Sequence, residues 1–362
     1  NHTFAASSVT DVAGDIVITR DATMTLLPDA RLRMATTDLM AGGLSTTKVE
    51  LRVEGTLEAD GTLTRPVRLL SARSTPARGD WYGIVIPAGA QAFNVSQVDL
   101  GHATRGVSLY ASTHVVAGSN IHDCSDAGVW SEGGTPQLEE LTIRDSSRGV
   151  TLTAATNARL RDVVIRNNTN EGLYALDSSF DFERGVVHDN GGAGIYQYLA
   201  SGSSQSSSVS QVTIAHNTGI GLALGRNTSS SLRALTTQVS NTSITHNSAA
   251  GVQDLSNGSY PFTFTCAASN VWGNSPNYSS MSQTGTCFSY NPLYADAAAR
   301  DYAPTTHSPN RLLGSGNTHV GGVAYDGDAG PHIEGYLWDN YTFTASGSPY
   351  TVLGDIIDAF IG

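Results

Sequence analysis

The chain has 362 residues, of which only 14% are charged, and a formal net charge of −12 with a single lysine, Lys48, among its 20 basic residues. An acidic chain without a basic face is a poor match for nucleic acid, which is held through its phosphates. No run of 18 apolar residues occurs, so no membrane-spanning helix is expected.

Residues 1–97 read as a cap region and first coils: a polar lead, a strand at Asp15–Thr19, and longer excursions at Thr36–Thr47 and Ala72–Gly79. From Trp81 to Trp272 one phrase recurs: an apolar pair or triplet, three to five polar residues, then glycine and another apolar residue. Its glycines are Gly83, Gly106, Gly128, Gly149, Gly172, Gly194, Gly221 and Gly251, separated by 23, 22, 21, 23, 22, 27 and 30 residues. Self-similarity at this period is the signature of a stacked solenoid, so the length does not imply several domains. Each phrase supplies one strand ending at an apolar position (Ile165, Val187, Ile214, Ile244) and a second opening at the glycine, as in Gly172-Leu173-Tyr174-Ala175-Leu176. None has 10 to 12 residues of helical spacing. The expected fold is all-β, a right-handed parallel β-helix, with regular coils over 98–258.

Positive φ at the turn would favour the repeat glycine. Four residues before it stand Asn168, Asn190, Asn217 and Asn247, with Asp145 and Cys124 in the same slot of earlier coils. Amides stacked at one offset predict a ladder of side-chain hydrogen bonds inside the coil. Ser-rich and Ser/Thr-rich insertions at Ala200–Ser208 and Gly225–Gln238 would bulge from one side of the rod.

These features, with GDIVITRDATMTLLPDARLRM at Gly14–Met34, the Val53–Thr62 step, RPVRLLSA, GDWYGIVI and NPLYADAAARDYAP at Asn291–Pro304, resemble the secreted β-helix proteins of the pectate-lyase-like superfamily. Within it the chain is most similar to non-catalytic surface repeat proteins. The resemblance implies the fold over roughly residues 9–325; such folds host many activities.

Residues 259–325 read as an irregular closing segment in which Cys266 and Cys287 form the expected disulfide, leaving Cys124 a buried thiol. Together with a start at Asn1 rather than Met, this suggests a processed, secreted protein of the extracellular surface. The tail, 326–362, repeats the start of the chain: Phe343, Val352 and Ile356 echo Phe4, Val12 and Ile16. With Tyr350, these residues form a candidate interface by which the tail of one copy extends the first coil of the next, head to tail, into filaments. A structural role with the chain as its own partner is therefore the first functional expectation.

The alternative is glycan binding or cleavage. A polar stripe precedes the repeat glycines at His122, Arg144, Arg166, His188, His216 and His246, with Asp99, Asp123, Asp145, Asp162 and Asp189 nearby. The paired-aspartate and Gly-His-Gly phrases of pectin hydrolases are absent, as is a lyase arginine–lysine set, so no catalytic residue is assigned. No cofactor is expected. Asp326 and Asp328 are the one weak calcium candidate. Histidines spaced once per coil lack the i, i+4 helical pattern, so zinc is not expected.

Overall fold

The computed structural model describes residues 1–201, 203–227, 234–256, 263–281, 283–316 and 318–325, and the backbone of strands His332–Leu337 and Thr351–Asp358. Short parallel strands stack into three faces of a β-helix. Face 3 is an unbroken parallel sheet of 11 strands, from Ile16–Ile18 to Tyr278–Ser279, one per coil. Face 2 runs from Val9–Val12 to Asn270–Trp272. Face 1 opens with four strands from His2–Phe4 to Ala92–Ser96 and continues from Val115–Ala117 to Thr263–Ala267. Faces 1 and 2 fuse in the long strands Phe180–His188 and Gln205–Ala215, which turn the corner at Arg184 (φ 51°) and Gln211 (φ 53°). Coiling continues past residue 258, through strands Thr263–Ala267, Asn270–Trp272 and Tyr278–Ser279.

Strand alternation sends every second side chain inward. On face 2, Leu100, Ile121, Ile143, Ile165, Val187, Ile214, Ile244 and Val271 stand in register along the rod, all buried. On face 3 the matching row is Val107, Val129, Val150, Leu173, Ile195, Leu222 and Val252. Each such side chain contributes roughly 1.5–3 kcal/mol on burial. One coil has no core of its own; stacking makes it.

Between faces 2 and 3 lies the ladder. Asn168, Asn190, Asn217 and Asn247 each donate from Nδ2 to the Oδ1 of the next asparagine at 2.9 Å; Asn274, the last of these acceptors, donates in turn to Asn277 Oδ1 at 3.1 Å. Ser146, not Asp145, occupies the slot in the earlier coil: its backbone N–H donates to Asn168 Oδ1 at 3.0 Å, and Cys124 N–H donates to Ser146 Oγ. The interval from slot to glycine is one residue shorter there. The residue before each ladder position carries the left-handed turn: Asp123, Asp145, Asn167, Asp189, His216 and His246 have φ of 52–56°.

The repeat glycines have a different reason from the expected one. Of the eight, only Gly83 has positive φ. A Cβ at Gly149 would lie 2.5 Å from Gly172 O, and one at Gly194 would lie 2.6 Å from Ile214 Cγ2. Close approach of the next coil, not φ, excludes a side chain.

Cys266 and Cys287 are bonded, with Cα atoms 5.5 Å apart, and Cys124 is free and buried. The disulfide ties the chain after the eleventh coil back onto face 1. The chain then folds back over face 2 through the antiparallel pair Tyr294–Asp296 and Asp301–Pro304 and the helical turn Pro309–Leu312, capped by Ser308. Asn310 in that turn bonds Asn270 (2.8 Å) and Ser243 (3.0 Å), and Gly322 N–H reaches Thr213 Oγ1.

Candidate functional site

The sequence-predicted stripe lies along face 2 and its turn, but not as one solvent-facing row. His122, Arg144, Arg166 and His188 are in register on consecutive strands; His188 then pairs with Ala215, and His216 and His246 sit one residue later, in the left-handed turn. His122 and His188 are buried. The closing segment covers the distal half. Arg300 grips Asp189, which accepts from His188 Nδ1 at 2.7 Å, and Tyr302 Oη lies 3.2 Å from His216 Nδ1. His216 stacks on His246 with ring centroids 5.0 Å apart. Burial, with the Arg300 charge, pushes His216 down to about 4 and also lowers His246; burial lowers His188. These three histidines are packing groups beneath a cover. Arg144 pairs with Asp145 at 2.6 Å. At the proximal end His122 sits between Asp123 Oδ2 (2.8 Å) and Asp99 Oδ1 (3.2 Å).

Of the candidate interface residues, Phe4 and Ile16 pack partly buried on the core and Val12 is buried. The exposed apolar residues of the first coil are their outward neighbours Val9 and Val17. In the tail, Ile333 is in register with Val352 and Gly335 with Ile356. Phe343, Tyr350, Asp326 and Asp328 lie outside the described residues.

Face 3 bears a feature the sequence reading did not single out. Trp130, Tyr174 and Tyr196 stand two residues past a repeat glycine and point outward on the central coils; Tyr174 and Tyr196 are in register. With Tyr110 and Tyr198 they form two partly exposed aromatic groups. Tyr110 and Trp130 centroids are 5.2 Å apart, Tyr174 and Tyr196 5.5 Å, and Tyr196 and Tyr198 5.9 Å. Thr151 separates the groups by occupying the aromatic position in the intervening coil. Each group has a fixed cation. Arg105 lies 4.0 Å over Trp130 and pairs with Asp126 at 2.7 Å; Arg148 lies 4.6 Å over Tyr174 and pairs with Glu171 at 2.7 Å. The signal was present as an aromatic at a constant offset from the glycine.

Face 1 carries a shallow groove crossed by two outward rows, Gln137–Arg159–Asp181–Ser208 and Glu139–Arg161–Glu183–Ser210. Within it Arg161 pairs with Glu183 at 2.9 Å and Ser208 donates to Asp181 at 2.6 Å; beside it Arg184 pairs with Asp162 at 2.7 Å.

Residues 82–233 match the family model described as the right handed beta helix region. The periplasmic alginate epimerase AlgG has a similar fold in two solved variants, with TM-scores of 0.53 and 0.52 at 10% and 11% identity. The first alignment covers 79% of this chain and 78% of that one, the second 78% and 77%. The chain is a right-handed parallel β-helix. The A-module of the Azotobacter vinelandii mannuronan C-5 epimerase AlgE4 aligns over 93% of this chain and 87% of its own, at 16% identity and a TM-score of 0.40. No curated protein matches the sequence. Among the described residues no helix is long and apolar enough to cross a membrane.

Proposed function

We propose that this β-helix is a glycan-binding protein whose ligand, a neutral polysaccharide, lies along face 3. The carrying observation is the pair of aromatic groups, Tyr110 with Trp130 and Tyr174 with Tyr196 and Tyr198, left partly exposed on successive coils along the rod. An aromatic ring with one face open to water offers apolar area to the C–H face of a sugar, while its polar edge stays hydrated. Flanking Arg–carboxylate pairs supply donors and acceptors for hydroxyls without net charge. The net charge of −12 disfavours a polyanionic ligand. The solved epimerase AlgG acts, by its name, on alginate; only its fold is shared. The Cys266–Cys287 disulfide supports an oxidising location, extracellular or periplasmic.

The test is affinity electrophoresis and calorimetry with neutral glucans, mannans and xylans against alginate and polygalacturonate. Retardation by a neutral glycan is expected, weakened about tenfold, or roughly 1.4 kcal/mol, in Trp130→Ala and Tyr174→Ala. Binding left intact in both variants would reject face 3.

End-to-end self-association is the second reading, favoured by the first coil. Its strands His2–Phe4, Val9–Val12 and Ile16–Ile18 each pair on one side only among the described residues, and Val9 and Val17 are 55% and 48% exposed. Such edges invite a further strand. Deleting 340–362 and comparing particle mass by light scattering tests it; an unchanged mass argues against assembly through the tail.

A further inference from the structure

At the uncovered end of face 2, two adjacent coils bring together His102, His122 and Asp123, the two rings in edge contact with centroids 5.5 Å apart. His102 and Asp123 carry the left-handed turn in successive coils, with φ of 64° and 52°. His122 precedes Asp123 and is in register with Gly101. Its ring folds back over that glycine, where a Cβ would lie 2.5 Å from His122 Cε1. One nitrogen from each histidine and one Asp123 oxygen fall within 4.8 Å of one another. His102 Nδ1 is buried and has no hydrogen-bond partner among the described residues.

The hydrogen bonds of His122 are directional. Nε2 lies 3.2 Å from Asp99 Oδ1, and Asp99 is itself held by Asn120 Nδ2 at 2.7 Å. Nδ1 lies 2.8 Å from Asp123 Oδ2. Metal-bound histidines characteristically donate their distal N–H to a carboxylate, which fixes the tautomer and raises ligand basicity. Two donors on one tetrahedral zinc ion stand roughly 3.3 Å apart, so the Nδ1–Oδ2 separation needs little adjustment.

We infer that His102, His122 and Asp123 form a binding site for a divalent transition-metal ion of the zinc class, with Asp99 orienting His122 from behind. Two imidazoles and one carboxylate suit zinc, cobalt or nickel; calcium and magnesium prefer all-oxygen sets. Asp99 and Asp123 balance the two charges of the ion. The nearby guanidinium Arg78 lies 3.9 Å from the other Asp123 oxygen, Oδ1, leaving Oδ2 for the metal. Three protein ligands leave a fourth position for water or a ligand. One histidine per coil is what the β-helix requires here. Stacking, rather than helical spacing, converts residues 20 apart into neighbours.

The experiment uses the full chain, stripped with a chelator and titrated with zinc chloride by calorimetry, with cobalt chloride followed by visible absorption and calcium chloride as control. One equivalent of zinc, a tetrahedral cobalt spectrum and no response to calcium are expected. His102→Ala, at a partly exposed turn, should abolish the equivalent without altering the far-ultraviolet circular dichroism. Asp99→Asn should weaken it by about 10- to 100-fold. Failure to take up zinc would overturn the inference, as would uptake that survives His102→Ala, which would place the ion elsewhere. A Gly101→Ala variant that stays folded and binds zinc undiminished would exclude the ring position described for His122.

Discussion

Arg300 closes on Asp189, 111 residues earlier, through two hydrogen bonds, Nε to Oδ2 at 2.7 Å and Nη2 to Oδ1 at 2.6 Å. Asp189 also accepts from His188 Nδ1. One carboxylate thus joins the closing segment to a histidine of face 2. Arg300→Ala should therefore loosen the cover and spare the coils. Because the pair is partly exposed, about 1 kcal/mol is expected after solvent screening. Hydrogen exchange should accelerate in Tyr294–Pro304 and stay unchanged in the face 3 strands; equal acceleration in both would contradict the clasp.

The covered histidines give the closing segment a pH dependence. His188, His216 and His246 all have pKa values lowered from 6.5, His216 to about 4. In this range the unfolded state binds more protons than the folded one, so stability falls as pH falls. The loss begins near 6.5 and, for His216, is complete below about 4. Asp189, held low despite its burial by Arg300 and His188, adds a loss at lower pH still. Limited proteolysis of the closing segment should rise between pH 6.5 and 4, and His216→Gln should flatten the profile. A segment equally resistant at pH 7 and pH 4.5 would contradict the assignment.

Asn190 is wholly buried, and its Oδ1 accepts from both the N–H and Nδ2 of Asn168. Asn190→Ala should cost about 3 kcal/mol, because it strands buried donors. Asn274→Ala, in the partly exposed last coil of the ladder, should cost less. Thermal denaturation of the two variants ranks them; a reversed order would mean the ladder is not cooperative.

Gly149→Ala should destabilise by about 2–3 kcal/mol, since the coil stack leaves no room for a methyl beside Ile165 and Gly172. Were positive φ the constraint, Gly89, at φ 77° with only Arg20 near its missing Cβ, would be the more sensitive site. Denaturant midpoints of Gly149→Ala and Gly89→Ala decide between the two causes.

The repeat was legible in the sequence because coil geometry is local. A period near 22 residues, one apolar position per strand and a constant asparagine offset each constrain a single coil and recur unaltered. The ladder from Asn168 to Asn247 follows from that; the Cys266–Cys287 disulfide was legible separately, from two cysteines bracketing an irregular segment. The aromatic row was legible too, at two residues past the glycine. Its meaning needed register, which sets Trp130, Thr151, Tyr174 and Tyr196 on one outward line.

What the sequence alone determined, then, is the winding of the rod and the inward or outward sense of its strands, because alternation and turn chemistry act within a few residues. The tertiary structure decided which outward residues meet water. Arg300 and Tyr302 lie 111 and 86 residues from their partners Asp189 and His216, and burial by that returning segment turned half of a polar stripe into packing. Stacking likewise made neighbours of His102 and Asp123. Such contacts depend on how the returning chain and the coils lie against one another in space, which no periodicity along the chain encodes.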